Sequence, residues 1–240
     1  MEYRQRQASN LGLSLLILMI KPITNLGNKE LYGKKILLRV DFNVPIENRK
    51  ISETYRIKAN KETINFLINH GAIIGLVSHI TTGDSFEPIL SQIKEVLGIN
   101  FNFINDCIGE TVETSLNRAK PGDTFLLENV RKYEGEKKND INFAKNLAEP
   151  FDLYINNAFS ASHRNHASLV AITRFLPSYT GFLFVKEIDN LNKALKMPKE
   201  NKTLIIGGAK IGTKLPVIKN FLDKAENILI GGAIANVFLK

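Results

Sequence analysis

Short apolar runs that alternate with amphipathic stretches of helical length constrain this chain more than any other feature. The clearest run, Lys35–Asp41, reads as a strand buried on both faces, and it breaks abruptly at Asp41-Phe42-Asn43-Val44-Pro45. Comparable runs are Ile73–Ser78, Phe101–Asn105, Thr124–Glu128, Leu153–Asn156, Thr203–Ile206 and Ile228–Ile230. Helical patterns fill the gaps at Lys58–Asn69, Phe86–Leu97, Glu110–Arg118, Asp140–Leu147, Lys186–Leu195, Lys214–Lys224 and Ala233–Leu239. Asp140 has the side chain of an N-cap, and Gly71 and Gly98 stand where helices stop. This alternation predicts an α/β fold: a parallel sheet with helices on both faces, three-layered and Rossmann-like.

Near Lys186 the pattern shifts to a charged helix followed by the polar, proline-containing stretch Met197–Lys202. We therefore expect a first domain over residues 19–185, an interdomain helix and linker over 186–200, and the start of a second α/β domain over 201–240. That second domain is expected to be incomplete, because two βα units leave faces that need neighbours. Leu11–Ile20 is an apolar run behind Arg4 and Arg6. It is too short to span a bilayer, and Lys21-Pro22 follows in place of a small-residue cleavage site. Residues 1–18 are read as an upstream extension, with translation starting at Met19.

The net charge is +8, from 32 Lys plus Arg against 24 Asp plus Glu. Such an excess suits an anionic partner or reflects a lysine-rich solvated surface. No Lys/Arg block or docking motif points to nucleic acid, and no apolar run points to a membrane. The single cysteine, Cys107, excludes an intrachain disulfide and a cysteine metal cluster, which fits a cytoplasmic location. It is read as a structural thiol.

In a parallel sheet the strand ends share one edge, where ligands bind. Here those ends carry Asp41 and Asn43, Ser78-His79, Glu128-Asn129 with Arg131, and Asn156-Asn157 leading to His163-Arg164-Asn165-His166. Arg56 lies in a polar loop before the predicted helix at Lys58. Converging arginines and histidines suit a small polyanion, since arginine clamps phosphate or carboxylate with paired donors. Arg39, Arg118 and Arg174 are read as ordinary surface or structural cations. Farther on, Gly207-Gly208-Ala209-Lys210 and Gly231-Gly232-Ala233 each follow a strand and precede a helix. Such glycines admit close backbone approach by an anion, although tight strand–helix packing selects them too. If the helix has begun by Lys210, it shares a face with Lys214.

Taken together, the segments LLRVDFNVP (37–45), YRIKA (55–59), SH (78–79), LLENVR (126–131), NNAFSASHRNHAS (156–168), PSYTGFLFVKE (177–187), IGGAKIGTK (206–214) and LIGGAIANVFLK (229–240) resemble phosphoglycerate kinase. The resemblance implies reversible phosphoryl transfer between ATP and 3-phosphoglycerate, giving 1,3-bisphosphoglycerate and ADP in glycolysis, by a monomeric two-domain enzyme that closes at a hinge. It further implies that Asp41, Phe42, Asn43, Arg56, His79, Arg131 and Arg164 bind 3-phosphoglycerate. Gly207, Gly208, Ala209, Lys210, Lys214, Gly231 and Gly232 would bind the nucleotide, with Arg56, Lys210 and Lys214 catalytic. MgATP or MgADP is the implied co-substrate, and no metal ligand is expected within these residues. Several positions depart from the family pattern. Thr82 stands at an expected arginine, Asn157 and Thr213 at expected aspartates, Lys132 at an expected aromatic and Ala233 at an expected glycine. The family's later nucleotide motifs are missing, so the expectation is a fragment without turnover on its own. The alternative is a natural non-catalytic half-protein that binds a phosphorylated acid.

Overall fold

The computed structural model describes residues 21–239, so the expected extension over 1–18 and the start at Met19 lie outside the described residues. The chain divides into two compact units between Val185 and Lys186. In the first, strand β1 (Lys35–Arg39) leads to a short hairpin of β2 (Ile46–Glu47) and β3 (Lys50–Ile51). Then come β4 (Ile73–Val77), β5 (Asn102–Ile104), β6 (Thr124–Leu127), β7 (Leu153–Asn156) and β8 (Ser178–Thr180). Apart from the hairpin these strands form one six-stranded sheet in the order β5-β6-β4-β1-β7-β8. Every pairing in it is parallel.

Side-chain alternation splits the core between the two faces of that sheet. Ile36 and Leu38 of β1 join a cluster with Ile57, Ile64, Leu67, Ile93 and Leu97, from the helices Tyr55–Lys58, Lys61–Asn69 and Leu90–Leu97. Leu37 points the other way and joins Val112, Leu116, Phe143, Ala144 and Leu147, from the helices Glu110–Asn117 and Ile141–Ala148. The α/β fold with helices on both faces is therefore the observed one. Asp140 caps the helix Ile141–Ala148, its Oδ1 accepting from the Phe143 N–H at 2.7 Å. Gly98 ends the helix Leu90–Leu97 at φ 66°, a left-handed conformation that glycine adopts without strain.

Four local features differ from the sequence reading. The β2–β3 hairpin turns through Asn48 and Arg49 at φ 50° and 62°, so an Asn-Arg pair occupies a turn whose usual mark is Asn-Gly. Three-residue β8 is too short for its alternation to show. The predicted helix over Lys58–Asn69 is broken, because the Asn60 side chain donates to the Arg56 carbonyl at 2.8 Å and competes with the helical ladder. Arg56 consequently sits in the helix Tyr55–Lys58 rather than in a loop. The charged helix spans Phe182–Lys196, starting four residues ahead of the predicted Lys186.

The second unit pairs β9 (Thr203–Ile206) in parallel with β10 (Asn227–Ile230). Ile206 packs with Ile218 and Ile234 beneath Leu204, Ile211 and Ile230. On the opposite sheet face Ile205 is 75% and Leu229 53% exposed. No helix among the described residues is long and apolar enough to cross a membrane.

Candidate functional site

The carboxyl ends of β1, β4 and β7 lie side by side, so residues far apart in sequence meet there. Asp41 is buried just past β1. Its Oδ1 accepts from the Asn43 N–H at 3.0 Å. Its Oδ2 accepts from the Ser160 hydroxyl and faces Arg56 Nη1 at 3.4 Å. Arg56 also donates to the Asn43 carbonyl at 3.1 Å while its side chain remains 47% exposed. Asp41 thus tethers a guanidinium on a side chain that stays 47% exposed. Asn43 Oδ1 is engaged by the Thr81 N–H and hydroxyl at 2.9 and 2.8 Å.

His79, past the end of β4, is 3% exposed. Its Nδ1 lies 2.9 Å from Arg39 Nη2, and its Nε2 is buried without a hydrogen-bond partner. Burial, followed by the positive charges of Arg39, Arg164, His166 and Arg56, lowers its pKa to about 3. Arg131 also carries a buried Nε without a partner. Arg164 is half-buried and His163 exposed. Phe42 stands between Asp41 and Asn43. Its side chain is fully buried in the core, and its N–H donates to Ser78 Oγ at 2.9 Å.

The loop after β4 is fixed by the turn after β6. Asn129 Oδ1 accepts from the N–H groups of Ile80 and Arg131 at 3.2 and 3.1 Å, and its Nδ2 donates to the Ile80 carbonyl at 3.1 Å. Glu128 Oε1 accepts from the Phe86 and Asn129 N–H groups at 3.2 and 2.7 Å. Burial pushes the Glu128 carboxyl up, but the Lys132 ammonium and these N–H donors bring it below its ordinary range. Cys107 is a buried structural thiol whose Sγ donates to the Glu128 carbonyl at 2.9 Å. Burial raises its pKa well above the usual value, which disfavours the nucleophilic thiolate.

In the second unit the two Gly-Gly turns touch. A Cβ on Gly232, at φ 66°, would lie 3.3 Å from Gly208 N, and Gly208 itself has φ 129°. The Gly231 N–H donates to the Ile206 carbonyl at 2.8 Å. The helix Ile211–Phe221 begins after Lys210, so Lys210 is its N-cap residue and does not share a helical face with Lys214. Both lysines and Ala209 are exposed.

The family model for phosphoglycerate kinase matches residues 26–240. The chain belongs to the phosphoglycerate kinase family. It is 42% identical over 226 residues to a phosphoglycerate kinase of Dictyoglomus turgidum, covering 92% of this chain and 57% of that protein. With one from a Wolbachia of Drosophila simulans it shares 44% identity over 223 residues, covering 90% and 56%. The phosphoglycerate kinase crystal structure from Pyrococcus horikoshii superposes with a TM-score of 0.84 at 31% identity, covering 91% of this chain and 57% of that one. The chain thus spans somewhat over half the length of these phosphoglycerate kinases.

Several departures from the family pattern have local partners. Thr82 donates to the Val44 carbonyl at 2.9 Å, bracing the loop where a charged side chain was expected. Asn157 is fully buried, donating to Asn60 Oδ1 at 2.8 Å and accepting from Thr63 Oγ1 and the Leu183 N–H at 3.1 Å each. An aspartate there would lack the donor that Asn60 accepts from. Lys132 pairs with Glu128. Thr213 donates to the Lys210 carbonyl at 2.9 Å.

Sequence reasoning passed over Ser160, Thr81, Glu136 and Ser168, and it grouped Arg39 with ordinary cations. Arg118 and Arg174 are exposed, but Arg39 is 1% exposed. A charge inside an apolar strand run was the available signal, since arginine is almost never fully buried unless paired. Glu136 lies on the four-residue helix Glu134–Lys137, which carries no periodicity to read.

Proposed function

We propose that the first unit binds 3-phosphoglycerate, and that the chain serves reversible phosphoryl transfer between that acid and ATP. The observation that carries this reading is the unpartnered, buried Nε2 of His79 in the field of Arg39, Arg56 and Arg164. A buried polar atom left unpaired in so basic a setting fits an anionic ligand that completes it. His79, Arg131 and Arg164 would meet carboxylate and phosphate oxygens, while Asn43 and the Asp41-tethered Arg56 orient the acid. The Gly207-Gly208 and Gly231-Gly232 turns, with Ala209, Lys210 and Lys214, suit the nucleotide. Arg56 in the first unit would stabilise charge on the transferring group, because such transfer depends mainly on positioning and electrostatics. Mg²⁺ would arrive with the nucleotide. Among the described residues no His, Cys, Asp or Glu group is gathered to hold it.

Titration calorimetry with 3-phosphoglycerate on the full chain tests the reading. Saturable one-to-one binding is expected, weakened about tenfold or more by Arg56→Gln, the usual scale for losing a hydrogen bond to a charged group. No saturable heat, or full affinity in Arg56→Gln, would overturn it.

A further inference from the structure

We propose that Arg39, braced by Ser168 and Glu136, is a positioning residue that fixes His79 as a neutral ring with its proton on Nε2. The assignment follows from donor and acceptor roles. A guanidinium only donates, so the 2.9 Å contact from Arg39 Nη2 requires an unprotonated Nδ1 on His79. The ring proton of neutral His79 must then sit on Nε2, the buried atom that has no partner.

Arg39 is locked in place from every side. Nη1 donates to the carbonyls of Val40 and Val77 at 2.7 and 3.2 Å, and Nε donates to Ser168 Oγ at 3.1 Å. The Ser168 hydroxyl in turn donates to Glu136 Oε1 at 2.7 Å, while the Ser168 N–H holds Glu136 Oε2 at 2.8 Å. Donation therefore runs outward from Arg39, to His79 on one side and through Ser168 to a fully buried carboxylate on the other. Glu136 offsets the buried guanidinium charge, which would otherwise be costly. Its Oε1 also lies 3.6 Å from His166 Nδ1. Strand alternation explains the meeting, because Arg39 shares the Leu37 face of the sheet, where Ala167 also packs. The consequence for binding, which rests on the 3-phosphoglycerate reading, is that His79 meets the acid as a fixed Nε2–H donor.

The test is long-range ¹⁵N NMR of histidine-labelled full chain without ligand. His79 is expected as the pure neutral Nε2–H tautomer across about pH 5–8, the range in which an unperturbed histidine titrates. A proton on Nδ1, a tautomer mixture, or a charged ring would overturn the proposal. Arg39→Lys should let the Nδ1–H form appear and weaken 3-phosphoglycerate about tenfold. An unchanged tautomer in that variant would remove Arg39 from the role. Should Arg39→Lys not fold, Ser168→Ala removes only the bridging hydroxyl and should shift the same signals, with unshifted signals counting against the relay. Loss of 3-phosphoglycerate binding alongside an intact Nε2–H signature would defeat the substrate reading and leave the positioning role standing.

Discussion

Replacing Asn129 by alanine isolates the contact that ties the loop after β4 to the turn after β6. The side chain is 3% exposed and makes three well-formed bonds, accepting from Ile80 N and Arg131 N and donating to Ile80 O. Each is worth about 1 kcal/mol net, and the Ile80 N–H, in a residue only 2% exposed, adds about 1 kcal/mol more as an orphaned buried donor. The sum is about 4 kcal/mol, a large share of the 5–15 kcal/mol typical of whole domains. With a urea slope of about 2 kcal/mol/M, the unfolding midpoint should fall by roughly 2 M at constant slope. Weakened 3-phosphoglycerate binding should accompany it, because the same loop presents Thr81 to Asn43. A midpoint shift below about 0.5 M would refute the reasoning, since it would mean the loop keeps its place without this anchor.

Acidification should destabilise the first unit. The His79 pKa is lowered to about 3 by burial and then by Arg39, Arg164, His166 and Arg56, so between about pH 6.5 and 3 the unfolded chain binds a proton that the folded one does not. Stability should drop as pH falls through that window by up to about 1.4 kcal/mol per pH unit, with burial of His166 acting in the same direction. Urea melts across this range check it, and a flat profile would contradict the assignment. Gly75→Ala should cost about 1–3 kcal/mol by overpacking, because a Cβ there would stand 2.6 Å from two Phe151 ring carbons. An unchanged thermal midpoint would show that the Phe151 ring yields freely.

The sequence by itself determined the βα alternation along the chain, short of the β2–β3 hairpin and β8, and the set of polar residues at the strand ends. Burial on both faces leaves a continuous apolar run such as Lys35–Asp41, and capping leaves Asp140 and Gly98, so both signals are local. It also carried the family, through segments such as RVDFNVP. Tertiary structure alone decided how those residues are used. Arg39 and Ser168 are 129 positions apart, and only the β1–β7 adjacency brings the loop after β7 to the buried guanidinium. Asn129 reaches Ile80 across 49 positions because β4 pairs with β6. The Asn48-Arg49 turn was illegible because arginine stands at its second position, where such a turn usually carries glycine. Periodicity records which side of an element meets the core. Which buried donor faces which acceptor is set by sheet order, and sheet order is a property of the folded whole.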